Sequence, residues 1–167
     1  YIYDGQGRLI TVTDAMGSVT SYEYTEAGKL VKVIGADGSE QTYTVDGNGF
    51  NISESDRMGH VTTFTRDAQN NVTSITDPLG DVTRYTYEDS GNLTTATDAN
   101  GAVTRNTYDA DGRIVSMIDA RGNTWRYAYD RNGQLVSTTD PVGGVSSTEY
   151  NSVGRTATVK DANGNTT

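Results

Sequence analysis

Short stretches in which β-branched and aromatic residues alternate with polar ones recur along the chain, as in Arg8-Leu9-Ile10-Thr11-Val12-Thr13 and Ser18-Val19-Thr20-Ser21-Tyr22-Glu23-Tyr24. Successive strand side chains point to opposite faces, so this alternation predicts half-wet β-strands, and the runs are too short for helices. Two kinds of punctuation separate them. One is Asp-x-x-Gly, as in Asp77-Pro78-Leu79-Gly80 and Asp140-Pro141-Val142-Gly143; Asp at i, Pro at i+1 and Gly at i+3 are the preferences of a type I turn. The other follows a tyrosine, as in Asp109-Ala110-Asp111-Gly112 and Asp130-Arg131-Asn132-Gly133, with Asn70 once in place of Gly. A left-handed backbone position accepts that exchange. Strand, turn, strand and turn make a β-hairpin.

The hairpin repeats. Tyr3, Tyr24, Tyr87, Tyr108, Tyr129 and Tyr150 are separated by 21 residues or multiples of 21. Gly17, Gly38, Gly59, Gly80, Gly101, Gly122, Gly143 and Gly164 hold one phase without a gap. Asp stands three residues before each of these glycines except Gly38, which has Gly35 there instead. The expected fold is all-β: about eight 21-residue β-hairpin repeats forming a long twisted antiparallel sheet of about sixteen strands. Both ends interrupt the pattern, so residues 1–167 are expected to be a single repeat array cut from a longer chain. A hairpin of this size does not fold alone, and each is expected to bury its apolar residues against its neighbours.

An odd repeat length sets a problem of faces. Side chains alternate with period two, so identical columns stay on one face only if the alternation slips once per repeat. A three-residue loop with a left-handed Gly after each Tyr would supply the slip. With a four-residue loop at Asp-x-x-Gly, Leu9 then lies opposite Tyr22 and Val12 opposite Val19. The reverse assignment sets Tyr22 near Ile10 and Val12, and the sequence leaves both open.

Composition narrows the function. Few aliphatic residues and a net charge of -9 would suit a disordered chain, but 11 Tyr and many Thr are strand formers, and the expected core is thin. With 22 acidic against 13 basic residues and no basic stripe, neither nucleic acid nor an anionic membrane is an expected partner. No apolar run is long enough for a spanning helix. The chain has no Cys and one His, which removes thiolate chemistry, disulfides and Cys- or His-rich metal sites.

Candidate chemistry is sparse. The repeated carboxylates invite a calcium site, yet Asp109-Ala110-Asp111-Gly112 lacks the further ligands of a calcium loop, and a turn-capping role is expected for these Asp. His60, near Ser53, Ser55 and Asp56, is the one candidate general base. Its column otherwise holds Ser18, Ser39, Asp81, Ala102, Asn123, Gly144 and Asn165, which marks a solvated strand entrance. No catalytic, cofactor or metal residue is therefore assigned. The Tyr columns are expected to be cross-strand packing, with sugar stacking as the alternative. One region departs from the columns: Val45 and Arg66 replace Tyr, Asn51 replaces Leu and Glu54 replaces Val. Trp125 is likewise the only aromatic in its column, beside Thr20, Thr62, Thr83 and Thr104, and Asn106 stands where neighbouring repeats carry Tyr.

The succession Tyr-Asp-x-x-Gly-Arg-Leu, Asp-x-x-Gly, Thr-x-Tyr-x-Tyr, seen closely in Asp109-Ala110-Asp111-Gly112-Arg113-Ile114 and Thr83-Arg84-Tyr85-Thr86-Tyr87-Glu88, resembles the YD repeat of bacterial Rhs (rearrangement hot spot) proteins. In that family the repeats form a β-sheet ribbon that spirals into a hollow shell housing a C-terminal toxin. Related shells occur in insecticidal toxin complexes and in teneurins. The resemblance implies a non-enzymatic scaffold, a segment of a β-spiral or shell. Its partners would be the rest of that shell and an enclosed toxin domain, and its location secreted or at the bacterial cell surface. A carbohydrate-binding or adhesive repeat with glycan partners is the alternative. The terminal strands, with Tyr1 and Tyr3 at one end and Val159 at the other, are expected to be open edges prone to end-to-end association.

Overall fold

A computed structural model describes residues 1–167. Its sixteen strands form one unclosed antiparallel sheet in chain order. Two compact units divide the chain. The first, Tyr1–Thr83, carries β1 (Ile2–Tyr3), β2 (Leu9–Thr13), β3 (Val19–Tyr24), β4 (Leu30–Ile34), β5 (Glu40–Val45), β6 (Asn51–Ser55), β7 (Val61–Arg66) and β8 (Val72–Thr76). The second, Arg84–Thr167, carries most of β9 (Val82–Tyr87) and then β10 (Leu93–Thr97), β11 (Val103–Tyr108), β12 (Ile114–Ile118), β13 (Thr124–Tyr129), β14 (Leu135–Thr139), β15 (Val145–Tyr150) and β16 (Thr156–Lys160). Six-residue and five-residue strands alternate from β2 onward.

Both kinds of turn close in the same way. Asp14 N–H donates to Ser18 O at 3.0 Å and Gly17 N–H to Asp14 O at 3.1 Å, while Asp4 N–H donates to Arg8 O at 2.9 Å and Gly7 N–H to Asp4 O at 3.0 Å. Each loop therefore holds three residues, a type I turn followed by a left-handed residue. Gly17, Gly38, Gly59, Gly80, Gly101, Gly122, Gly143 and Gly164 supply that residue on one side, with φ from +78° to +89°. Asn70, at φ +69°, is the one non-glycine that does so.

The three-residue loop expected after Tyr is present, and of the two pairings left open the one with a four-residue Asp-x-x-Gly loop is excluded. The Asp-x-x-Gly loop has three residues and not four, because its Gly is the last loop residue and the pair begins directly after it. Val12 faces Thr20 and Thr13 faces Val19, so neither Leu9 with Tyr22 nor Val12 with Val19 is a pair. Two odd loops cancel, and the slip comes from a β-bulge. Tyr24 faces Leu30 but Glu23 faces Lys32, which leaves Val31 without a partner. In the second unit Tyr108 faces Ile114 and Thr107 faces Ser116, which leaves Val115 over. Ile10 is bypassed in the same way. One extra residue per repeat on the five-residue strand keeps the odd-length columns on a common face.

The bulge also staggers the repeats. Thr11 faces Ser21 and Ser21 faces Ile34, whereas the residue equivalent to Thr11 in the next repeat is Lys32. Each hairpin is thus displaced along the strand direction by two residues, about 7 Å at the usual strand rise. The second unit shows the same step, with Thr95 facing Arg105 and Arg105 facing Ile118.

The Tyr-bearing face is the better covered one: in β3, Tyr22 and Tyr24 are half-buried while Glu23 between them is exposed. Val33, 9% exposed, is the one buried apolar residue. A sheet one layer thick gives no side chain a complete apolar surround, so stability rests on contacts between neighbouring hairpins. At β16, Val159 N–H donates to Thr167 O and Thr167 N–H to Val159 O, both at 2.9 Å. The edge expected to be open at Val159 is occupied by the chain itself at that residue.

Candidate functional site

The turn carboxylates face their own loops. Oδ1 of Asp14 accepts the backbone N–H of Met16 at 2.8 Å and of Ser18 at 2.9 Å. Asp109 Oδ1 accepts those of Asp111 and Arg113, both at 3.0 Å. The second oxygen takes the side chain four residues on: Arg8 Nε reaches Asp4 at 2.6 Å, Arg113 Nε reaches Asp109 at 2.7 Å, and Asn123 Nδ2 reaches Asp119 at 2.8 Å. Where Gly35 breaks the column, Asp37 takes over, accepting the N–H and the hydroxyl of Ser39. No three His, Asp or Glu side chains converge as a metal site would require.

These bonds favour the ionised carboxylate. The backbone N–H of Arg8 foremost holds Asp4 below its ordinary value. That of Ser18 does so for Asp14, and that of Arg113 for Asp109. The side chain of Asn123 leads for Asp119, and that of Asn165 for Asp161. A carboxylate whose folded pKa lies below its unfolded value near 3.8 stabilises the fold fully above that value, and the contribution is lost as pH falls through the folded pKa. The urea midpoint is therefore expected to be flat from about pH 5 to 8 and to fall below about pH 4. Relief of the charge of -9 works against this, so a midpoint that rises on acidification would mean that net repulsion outweighs the turn bonds.

Beside four of the Tyr-side turns lies a second constellation. The ladder between β2 and β3 runs from Thr11 to Thr13 and stops short of Leu9. The hydroxyl of Tyr24 closes that end by donating to Leu9 O at 2.8 Å. The same bond joins Tyr108 to Leu93 O at 2.7 Å, Tyr129 to Ile114 O at 3.0 Å and Tyr150 to Leu135 O at 3.0 Å. A cation lies over two of these rings, Arg8 at 5.2 Å from the Tyr24 centroid and Arg113 at 4.9 Å from that of Tyr129. The Arg8 guanidinium also donates to Thr25 O at 2.9 Å. The Tyr column thus stitches neighbouring repeats through a hydroxyl bond at four places, with a cation–π contact added at Tyr24 and Tyr129.

The departing region keeps part of this arrangement. Arg66, in the Tyr column, lies 5.9 Å over the ring of Phe50, which occupies the Arg column. Aromatic and cation have changed places. Arg66 Nε still reaches Asn51 O, at 3.4 Å, and Nη1 reaches Asn70 O at 3.1 Å. Comparing the two columns side by side in the sequence would have revealed this exchange. Asn51 and Glu54 bond to each other at 3.1 Å. Val45 has no such compensation, and a hollow of about 380 Å³ opens there among Lys29, Leu30, Tyr43, Val45, Gly49 and Asn51.

His60 belongs to its turn. Its Nδ1 lies 2.8 Å from Asp56 Oδ2, and its N–H donates to Asp56 Oδ1 at 3.0 Å. The Ser55 hydroxyl pairs with that of Thr42 at 2.8 Å, and Ser53 faces Thr63 within the ladder. His60 and Asp56 thus hold each other within one turn, while Ser53 and Ser55 are drawn to partners on neighbouring strands. Trp125 stands opposite Met117, which also faces Asn106, and Asn106 Nδ2 shares Leu93 O with Tyr108 at 3.2 Å.

The RHS Repeat family matches at residues 3–40, 45–81, 66–103 and 108–145, in phase with the turn and tyrosine columns just described. The chain belongs to the RHS repeat family. No curated protein matches it. Among solved structures, the RHS array resembles the Photorhabdus luminescens Tc holotoxin pore, at TM-score 0.67 and 16% identity over 95% of this chain and 12% of that one. It also resembles a TcdB2–TccC3–TEV structure, at TM-score 0.57 and 18% identity over 96% and 11%. A TcdB2–TccC3 structure without its hypervariable C-terminal region gives TM-score 0.54 and 16% identity over 96% and 11%. At these identities the likeness is one of fold, and the RHS array spans about an eighth or less of the chains it matches.

Proposed function

We propose that this RHS array is a non-enzymatic wall segment of a β-sheet shell that encloses and carries a toxin domain in a secreted or surface-borne polymorphic toxin. The observation that carries this reading is the tandem RHS repeat matches laid over a fold like that of the TccC3-containing structures. A wall needs self-supporting repeats that add without limit, and hairpins joined through their Tyr and Arg columns meet that need. The same columns weigh against a glycan platform. At Tyr24 and Tyr129 the hydroxyl is committed to a backbone carbonyl and one ring face to an arginine, which leaves those two rings little for a sugar to stack on. Limited proteolysis of the full-length polypeptide tests enclosure. The region beyond the array is expected to survive a protease dose that digests the same region produced alone; equal digestion would refute enclosure.

A further inference from the structure

The Tyr column has two gaps, and only one is made good. At Arg66 the exchange with Phe50 preserves an aromatic–cation pair. At Val45 the ring is missing while its setting persists. Lys29, in the Arg column, runs along Gly49 with Cε 2.9 Å and Cγ 3.4 Å from where a Cβ on that glycine would stand, much as Arg8 runs along Gly28 with Cδ at 3.9 Å. Leu30, opposite Tyr24, presents the carbonyl equivalent to those of Leu9, Leu93, Ile114 and Leu135, each of which accepts a tyrosine hydroxyl. The hollow between them is an open depression on the sheet face, bordered by Leu30, Tyr43 and Val45 where a phenol ring would lie.

We propose that the hollow at Val45 is a binding site for a phenol ring, and that its occupant is a tyrosyl side chain presented from outside the repeat. Tyr24 and Tyr129 display the complete bound geometry in cis, and Tyr108 and Tyr150 display its hydroxyl bond. The ring lies along the five-residue strand, its hydroxyl donates to the residue-30 carbonyl, and the column cation lies over its face. An enclosed cavity left by a lost side chain accepts a free molecule of that shape, and this open hollow is expected to do so more weakly, through the groups that remain. In the bound state Leu30 O would orient the phenol, and Lys29, which holds the place of Arg8 in its column, would supply the cation over its face. This inference does not depend on the shell reading.

The test is an NMR titration of the 167-residue chain with p-cresol and with N-acetyl-tyrosinamide. Both are expected to give saturable amide shifts confined to the neighbourhood of Lys29, Leu30, Val45, Gly49 and Asn51. N-acetyl-phenylalaninamide, which cannot donate to Leu30 O, is expected to bind roughly five-fold more weakly. V45Y places the ring in cis and should abolish binding while leaving the amides around Arg113 and Tyr129 unchanged. Shifts at every Tyr-side turn, undiminished binding to V45Y or equal affinity for the phenylalanine analogue would overturn the site. Saturation by p-cresol alone would overturn the tyrosyl occupant.

Discussion

Deleting Arg105 is expected to destabilise the second unit by about 4 kcal/mol, at the diagnostic end of single-site effects, whereas deleting Val115 should cost only about 1 to 2 kcal/mol. Arg105 sits in the middle of β11, facing Thr95 on one side and Ile118 on the other. Its loss forces either Val103 and Thr104 or Asn106 and Tyr108 onto the wrong face, because a one-residue slip inverts every side chain beyond it. Val115 has no partner. With it gone, Tyr108 still faces Ile114 and Thr107 still faces Ser116, so a regular hairpin replaces the bulged one. Urea denaturation with tryptophan fluorescence, which reads Trp125 in β13 beside β12, separates the two. Equal losses would mean that the bulge is not where the alternation slips.

Tyr129 is the second sensitive point. Its ring supports Arg113 at 4.9 Å and its hydroxyl closes the Ile114 carbonyl at 3.0 Å. Replacing it by Ala removes a half-buried aromatic ring and that bond together, an expected loss of about 3 kcal/mol, the low end for a core aromatic because the site is not fully enclosed. Tyr129→Phe isolates the hydroxyl and should cost about 1 kcal/mol. A double-mutant cycle with Arg113→Ala is expected to show about 0.5 to 1 kcal/mol of coupling to the ring. A Tyr129→Ala loss no larger than that of Tyr129→Phe would show that the ring itself contributes nothing, which the packing arrangement forbids.

Much of this is legible in the sequence. The 21-residue period, the Asp and Gly of both turns and the hairpin follow from residue types with strong local preferences: Asp14 and Gly17 can do few other things at that spacing. Register was not legible, for two reasons. A type I turn and the three-residue loop built on it share the same four letters, so Asp-x-x-Gly does not reveal where pairing resumes. The bulge carries no chemical signature either: Ile10, Val31 and Val115 look like any strand residue, and only their partners' numbering exposes them. At the candidate site the absence of tyrosine at position 45 was plain in the sequence. That the absence leaves a hollow was not, because it depends on the path of Lys29 along Gly49. The exchange of Phe50 and Arg66 lay in plain view but required two columns to be compared at once.

The single extra residue in each repeat also has a consequence for heredity. Because it restores the facing of every column after 21 codons, any in-frame duplication of 21 codons, wherever its breakpoints fall, joins at both ends without a seam. Replication slippage or unequal recombination can therefore lengthen such a gene one hairpin at a time, and each new copy arrives already matched to its neighbours. Loss or gain of a single codon outside the bulge carries no such immunity. Selection on these genes should thus tolerate variation in copy number far more readily than variation in the length of any one copy.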